Sequence, residues 1–136
     1  MKVLVGLSGG VDSSYVVSVA KPDKTFSVGF NVENNGSFTF NETEYAKELS
    51  DLLNINNTSE LISSDDFFNI LPMVQYHTDE PHANLSTVPL YFLSKLARKQ
   101  VKVVLSGEGS DEMFAGYNEY YEPALVRTYL KLPLSF

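Results

Sequence analysis

The sequence contains no cysteine among its 136 residues, and it is poor in basic residues. Without cysteine, the chain has no disulfide, no thiolate ligand for a metal ion and no cysteine nucleophile. Ten Lys and Arg residues stand against 17 Asp and Glu residues, which gives a formal net charge of -7. General nucleic-acid binding needs clustered basic residues, so this charge balance excludes that class and predicts no nucleic-acid partner.

A long apolar run is also missing. The N-terminal segment MKVLV is apolar, but it breaks at Ser8-Gly9-Gly10, well short of a signal-peptide core or a membrane span. We therefore expect a cytoplasmic protein with no membrane partner. The hydrophobic fraction of 43% and the charged fraction of 20% are ordinary for globular domains, and a chain of this length suits one core. The prediction is a single domain over residues 1–136.

Short apolar segments alternate with segments of helical periodicity. The predicted strands are residues 3–7, 25–30, 58–62 and 101–105, and the predicted helices are residues 11–20, 42–53, 67–75 and 89–100. The polar stretches 31–40 and 76–87 are predicted loops. Such alternation predicts an α/β fold with right-handed crossovers, in which helices cover both faces of a parallel sheet.

A glycine loop follows the first predicted strand and another follows the last. The first loop is SGGVDSS, residues 8–14, and the second is SGEGSDE, residues 106–112. Loops at the carboxyl ends of parallel strands converge on one crevice, so both loops should face one site. The first loop suits an anion, because it combines glycines, a following helix N-terminus and the hydroxyls of Ser8, Ser13 and Ser14. It is not a Walker A loop, since the lysine of that motif is absent.

Acidic residues accompany the glycines in both loops. Asp12 would repel a bare phosphate, so a role at an anion site requires a cation between the two groups. Mg²⁺ held by carboxylate and phosphate oxygens is the ordinary arrangement, and Asp111 would supply the second carboxylate. A tight structural turn explains a lone Ser-Gly-Gly well. Acidic residues crowded at two strand ends favour a bound metal ion over that alternative.

Two motifs resemble those of a known family. The first loop resembles the pyrophosphate-binding PP-loop of the N-type ATP pyrophosphatases, which leaves several families open. The stretch VVLSGEGSDEMFAGY, residues 103–117, is similar to a more specific signature, that of the C-terminal synthetase domain of glutamine-hydrolysing asparagine synthetases. Residues 26–30, residues 42–46 and the Asp79-Glu80-Pro81 segment are also similar to that family. The resemblance spans nearly the whole chain and implies a Rossmann-like PP-loop fold.

The resemblance implies a reaction as well as a fold. In the family, ATP activates the side-chain carboxylate of aspartate as aspartyl-AMP with release of pyrophosphate, and ammonia then displaces AMP to give asparagine. Asp12 and Asp111 match the Mg²⁺-binding aspartates, and Glu108 matches a glutamate that handles the acyl-adenylate and the attack of ammonia. The residues that the resemblance places around ATP are Gly6, Leu7, Ser8, Gly9, Gly10, Asp12, Ser13, Ser14, Val28, Ser106 and Gly107.

The chain departs from the family pattern in two respects. It has no N-terminal glutaminase domain with a cysteine nucleophile, so ammonia would come from a separate glutaminase domain or from solution. The synthetase domain of the family continues beyond the Gly116-Tyr117 region, so residues 1–136 are expected to be a partial domain, truncated at the C-terminus. The apolar tail 129–136 is expected to expose surface and to favour a homo-oligomer.

Two alternative functions remain open on these residues. One is another PP-loop adenylating amidotransferase, such as a β-lactam synthetase, which would act on a different carboxylate. The other is a noncatalytic nucleotide-binding fragment. The helical spacing of Tyr117, Tyr120 and Tyr121 predicts that these rings pack against the sheet and do not stack on adenine.

Overall fold

The computed structural model describes residues 4–6, 8, 10–31, 42–80, 83–117, 120 and 124–131. The strands are β1 (Leu4–Gly6), β2 (Lys24–Phe30), β3 (Asn56–Ile62) and β4 (Val104–Leu105). The helices are α1 (Val11–Ala20), α2 (Glu42–Leu52), α3 (Ser64–His77), α4 (Thr87–Arg98), α5 (Ser110–Phe114) and α6 (Ala124–Tyr129). Among the described residues, every helix is too short or too polar to span a membrane.

The four strands form one sheet in the order β3-β2-β1-β4, and every pair is parallel. Leu4 is in register with Lys24 of β2 on one side and with Val104 of β4 on the other. The first and last strands in the sequence are therefore neighbours in space. This arrangement confirms the predicted parallel sheet, and it brings the two glycine loops to the same edge.

Helices cover both faces of the sheet, as predicted, and β2 shows how. Phe26 is fully buried and packs against Leu96 and Ala97 of α4. Thr25 points to the opposite face, where its hydroxyl lies 2.9 Å from the hydroxyl of Ser50 in α2. A second apolar cluster joins β3, α3 and α4 on the first face, and a third joins α1 to α2. Alternation along one strand therefore assigns α3 and α4 to one side and α2 to the other.

Several predicted boundaries shift by a few residues. The β3 strand begins two residues earlier than predicted, and β4 keeps only two of its five predicted residues. The α3 helix runs through Pro72 to His77, and α4 begins at Thr87, so both helices extend into the predicted loop 76–87. Pro89 is the third residue of α4, in the first turn, where a missing N–H costs no intrahelical hydrogen bond.

Helix α3 starts with a capping box. The Ser63 hydroxyl accepts a hydrogen bond from the Asp66 backbone N–H, and the Asp66 carboxylate accepts one from the Ser63 backbone N–H. This reciprocal pair satisfies N–H groups that the first turn would otherwise leave unpaired. Hydrogen bonds from the side chain and backbone of Ser63 also lower the pKa of Asp66 below its usual value. The sequence motif Ser63-Ser64-Asp65-Asp66 therefore fixes the start of α3, three residues before the predicted start.

The C-terminal helix α6 ends in exposed apolar residues. Tyr129 is 71% exposed and Leu130 is 64% exposed, in agreement with the predicted apolar surface. Residues 132–136 of the predicted tail lie outside the described residues. A homo-oligomer formed through this surface stays a prediction.

A directional chain of hydrogen bonds lies under α2. Asn57 Nδ2 donates to the Thr25 hydroxyl over 2.9 Å. The Ser50 hydroxyl donates to the Ala46 carbonyl oxygen over 2.8 Å, so in the Thr25–Ser50 pair the threonine donates and the serine accepts. Thr25 and Ser50 are both fully buried. The single proton of each of these two hydroxyls, Thr25 and Ser50, is therefore assigned to one acceptor.

We predict that Ser50→Ala destabilises the fold by about 1–3 kcal/mol, because the buried Thr25 donor loses its acceptor. The measurement is the free energy of unfolding in urea. Ser94→Ala, at an exposed position of α4, is the matched control, since both variants make the same change in helix propensity. Equal effects of the two substitutions would contradict the assigned hydrogen-bond chain.

Candidate functional site

A cavity of about 200 Å³ lies where the loops after β1 and β4 meet. Its walls are the first loop with the start of α1, the second loop with α5, and two leucines of α4. The lining residues are Gly6, Ser8, Gly10, Asp12, Ser13, Leu90, Leu93, Ser106, Gly107, Glu108, Gly109, Asp111 and Tyr117. The parallel pairing of β1 with β4 creates this site, because it places both loops at the carboxyl edge of adjacent strands.

The first loop is held by Ser13, which is only 5% exposed. Its hydroxyl donates to the Gly10 carbonyl oxygen over 3.2 Å and accepts from the Ser8 backbone N–H over 3.3 Å. Gly10 precedes α1 and contributes no side-chain cap. The first N–H groups of α1 therefore remain available at the cavity, where the positive end of the helix dipole favours an anion.

The three serines of the loop differ in what their hydroxyls contact. The Ser14 hydroxyl donates to the Gly10 carbonyl oxygen over 2.6 Å, and Ser14 is not among the lining residues. Ser13 also donates to that carbonyl oxygen. Ser8 is exposed, and its hydroxyl accepts from the Gly10 N–H over 3.2 Å. The Ser8 hydroxyl also lies 3.1 Å from the Ser13 hydroxyl. A hydroxyl has one proton, and Ser13 gives its proton to Gly10, so Ser8 donates to Ser13. All three hydroxyls therefore stabilise the loop, and the N–H groups of α1 are the donors left for a ligand.

The second loop makes a close backbone contact with the first turn of α1. A Cβ atom at Gly107 would lie 2.7 Å from the Ser13 amide nitrogen and 3.1 Å from the Asp12 carbonyl carbon. Only glycine permits that approach without a shift of the backbone. Gly109 has a different requirement, since its φ of +87° is a conformation that side-chain-bearing residues rarely adopt. The two glycines of GEG thus have separate physical roles.

Three acidic side chains line the cavity: Asp12 from α1, Glu108 from the second loop and Asp111 from α5. The described residues contain no group of three or more His, Cys, Asp and Glu side chains arranged to hold a metal ion by themselves. Mg²⁺ does not need such a group, because it commonly keeps several waters and is held by one or two carboxylates plus phosphate oxygens. The donor set of this cavity therefore fits Mg²⁺ bound together with a phosphate, and the role of Asp12 and Asp111 as its ligands stays a prediction.

Glu112, the fourth acidic residue of this region, does not line the cavity and instead pairs with Tyr117. The Tyr117 hydroxyl donates to Glu112 Oε1 over 3.0 Å, and Glu112 does not line the cavity. This hydrogen bond, with the nearby charges of Glu112 and Asp111, raises the pKa of Tyr117 to about 12. The predicted packing of the tyrosines against the sheet is wrong for Tyr117, which lines the cavity and lies 5.6 Å from the Tyr120 ring. Tyr121 lies outside the described residues.

The raised pKa of Tyr117 leads to a prediction about alkaline stability. The folded chain retains this proton up to about pH 12, whereas the unfolded chain loses it near pH 10. The stabilisation is fully present below pH 10 and is lost as the pH rises through the folded pKa. We expect the urea midpoint to fall between about pH 10 and 12 more steeply in the wild type than in Tyr117→Phe. Parallel pH profiles of the two chains would contradict this assignment.

The structure brings together most of the predicted site. Asp12, Glu108 and Asp111 share the cavity with Gly6, Ser8, Gly10, Ser13, Ser106 and Gly107, as the convergence of the loops requires. Leu7 and Gly9 lie outside the described residues. Val28 does not line the cavity and packs against the cluster of β3, α3 and α4. The binding role of each residue stays a prediction.

Outside the two loops, sequence reasoning missed three lining residues, Leu90, Leu93 and Tyr117. The leucines lie on α4, outside both loops and far in sequence from the first one. A Cβ atom at Gly6 would lie 2.9 Å from Leu93 Cδ2, so the absence of a side chain at Gly6 allows Leu93 to reach the cavity. The periodicity of α4 marked its apolar face, but it did not indicate that part of this face contacts the site.

The fold and the paired glycine loops define a PP-loop α/β domain. A family model described as asparagine synthase matches residues 1–135, and the chain belongs to the asparagine synthase family. It is 49% identical over 131 residues to "Asparagine synthetase [glutamine-hydrolyzing] 1" of Bacillus subtilis strain 168, a match that covers 93% of this chain and 20% of the relative. It is 39% identical over 131 residues to a putative asparagine synthetase of Mycobacterium tuberculosis H37Rv, covering 93% of this chain and 19% of that protein.

The chain therefore spans about a fifth of the length of these relatives. Among solved structures, it is similar to the glutamine-dependent NAD+ synthetase from Acinetobacter baumannii in complex with ADP. The TM-score is 0.55 with 20% sequence identity, and the match covers 85% of this chain and 23% of that one. At this identity the likeness concerns the fold, and it agrees with the predicted PP-loop, Rossmann-like architecture.

Proposed function

We propose that this chain is the ATP-binding part of an asparagine synthetase, and that its cavity holds the phosphates of ATP while a carboxylate is adenylated. The observation that carries the proposal is the convergence of two glycine loops, an open helix N-terminus and the carboxylates of Asp12 and Asp111 on one cavity. Family membership supports the choice of ATP as ligand and of aspartate as carboxylate, with ammonia as the nitrogen source.

The volume of the cavity limits which part of ATP it can enclose. A volume of about 200 Å³ is smaller than the roughly 300–1,000 Å³ of sites that enclose a drug-sized ligand. The described residues therefore surround only part of a nucleotide. The first N–H groups of α1 suit the pyrophosphate end, while Leu90 and Leu93 contribute apolar surface to the same cavity. Val28 lies outside this cavity, and we assign its backbone to the adenosine part of ATP, as the family resemblance implies.

The chemistry assigned to the site needs charge stabilisation and orientation. A bound Mg²⁺ ion, held by Asp12 and Asp111, would offset negative charge on the phosphates. The N–H groups of α1 would hold the pyrophosphate as it leaves, without reorganisation during the reaction. The aspartate carboxylate attacks the α-phosphorus, pyrophosphate departs, and ammonia then attacks the activated carbonyl and displaces AMP. Glu108, from the same cavity, is assigned to the acyl-adenylate and the attacking ammonia.

Isothermal titration of ATP into this chain, with and without MgCl₂, tests the proposal. We expect Mg²⁺-dependent binding at one site. A parallel assay for pyrophosphate release with aspartate and with other small carboxylates separates an asparagine synthetase from a β-lactam synthetase-like enzyme. Binding without release would support the noncatalytic alternative. A folded chain that does not bind ATP would contradict the proposal.

Glu108→Gln tests the assigned catalytic role. The substitution keeps the size and a hydrogen-bonding side chain but removes the charge. We predict that ATP affinity stays within about threefold, while the rate of product formation falls about 100-fold or more, as for loss of a general acid–base group. The measurement combines titration of ATP with turnover, in a form of the protein that turns over. A parallel fall in affinity and rate would instead place Glu108 among the binding groups.

A further inference from the structure

The C-terminal end of α5 forms a tight turn against the carboxylate of Asp111. The backbone N–H of Gly116 donates to the Asp111 carbonyl oxygen over 3.0 Å. A Cβ atom at Gly116 would overlap Oδ1 of Asp111, so the carboxylate rests directly on the glycine backbone. The orientation of this carboxylate therefore depends on the position of the turn.

The same turn contains backbone strain. Ala115 ends α5 with a φ of 58°, in the left-handed region. For a residue with a side chain this conformation is unfavourable, and it persists only where neighbouring contacts fix it. The backbone bond from Gly116 is one such contact. The next residue along the chain, Tyr117, supplies another.

Tyr117 ties the turn back to α5 through its hydroxyl. The hydrogen bond from Tyr117 to Glu112 Oε1 spans five residues and encloses both Ala115 and Gly116. It also occupies Glu112, the acidic neighbour of Asp111, and keeps that side chain away from the cavity. On the other side, the Tyr117 ring contacts Tyr120. The hydroxyl is therefore placed to hold the turn closed.

We infer that Tyr117 is a positioning residue, which acts through its hydrogen bond to Glu112 to keep the turn 115–117 closed and the Asp111 carboxylate directed into the cavity. The inference rests on the proposed function for its consequence, since Asp111 is there a ligand of Mg²⁺ bound with ATP. Its structural part, that the Tyr117–Glu112 hydrogen bond keeps the turn 115–117 closed, does not depend on any ligand. The proposed role of the Tyr117–Glu112 hydrogen bond is therefore to set the affinity for the metal ion by orienting Asp111.

Titration of ATP at increasing MgCl₂ measures the effect of the Tyr117–Glu112 hydrogen bond on the affinity for Mg²⁺. We expect Tyr117→Phe and Glu112→Ala each to raise the Mg²⁺ concentration needed for half-maximal binding about tenfold, the effect usual for partners that orient a metal ligand. The double variant should match either single variant, because both remove the same hydrogen bond. Glu112→Gln retains an oxygen acceptor and should restore affinity to within about threefold of the wild type.

Tyr76→Phe is the matched control, since Tyr76 lies on α3 and is 79% exposed; it should leave the Mg²⁺ dependence unaltered.

Hydrogen exchange in the ligand-free chain tests whether the Tyr117–Glu112 hydrogen bond keeps the turn closed. We expect the Gly116 amide to exchange about tenfold faster in Tyr117→Phe, while amides in the middle of α1 keep their protection. A wild-type chain that fails to bind ATP would overturn the proposed function alone. Unchanged Gly116 exchange would overturn the positioning role, as would unchanged Mg²⁺ dependence in a chain that binds.

Discussion

Gly107→Ala is expected to abolish most of the affinity for ATP with Mg²⁺. The new Cβ atom would lie 2.7 Å from the Ser13 amide nitrogen, and the collision is with backbone, which has no rotamer through which to move away. Overpacking of this kind costs about 1–3 kcal/mol, which corresponds to a loss of about 5- to 150-fold if the strain is relieved by separating the loops. The methyl group would also cover the helix N–H groups that the pyrophosphate is proposed to contact.

Isothermal titration and thermal unfolding of the variant measure the two consequences of this collision. Gly109→Ala separates collision from backbone strain, because a side chain there meets no atom within 4 Å, while its φ of +87° remains unfavourable. We expect Gly109→Ala to reduce stability by about 1–2 kcal/mol and to weaken ATP binding less than Gly107→Ala does. Full affinity in Gly107→Ala would show that the loops do not need their close contact.

Asp12→Asn and Asp111→Asn are each expected to weaken Mg²⁺-dependent binding of ATP about 10- to 100-fold, since contacts to charged groups contribute about 1.5–3 kcal/mol. The double variant should lose little more than either single variant, because both carboxylates are proposed to hold one ion. In the ligand-free chain the same substitutions should raise the melting temperature, since they remove repulsion between acidic groups that share one cavity.

This opposite effect on binding and stability distinguishes a ligand site from a structural one. Asp51→Asn, at an exposed position of α2, is the control, and it should change neither quantity. The measurements are titration of ATP at fixed MgCl₂ and thermal unfolding without ligand. Additive losses from the two substitutions would indicate two separate roles, and a lowered melting temperature would assign the carboxylates to the fold.

Much of the architecture was predictable from local patterns. The helical periodicity of residues 42–53 and the run TFSVGF reflect burial on one face or both, and burial decides secondary structure in segments of this length. The helix predicted over residues 42–53 ends at Leu52, and Asn54 follows with a φ of 55°, a conformation that asparagine tolerates better than most residues. The residues 101–105 were less predictable, because an apolar run of five does not reveal how much of it pairs with a neighbour, and only Val104 and Leu105 do.

The site itself was predictable in part. A parallel sheet brings loops at strand ends together, so the joint placement of Asp12 and Asp111 followed from the α/β pattern. The pattern did not separate Glu112 from the acidic residues beside it, since three of the five residues 108–112 are acidic. Side-chain direction in a five-residue helix depends on contacts such as the hydrogen bond from Tyr117.

The sequence by itself determined the alternation of strands and helices, the two glycine loops and the family to which they belong, because these depend on residue types at short spacing. Only the tertiary structure decided that β1 and β4 are neighbours, that Leu90 and Leu93 reach the cavity, and that Gly107 lies against the first turn of α1. Those facts depend on contacts between residues about 80 to 100 positions apart. No local pattern encodes such contacts, because they arise only when the whole sheet and its covering helices pack together.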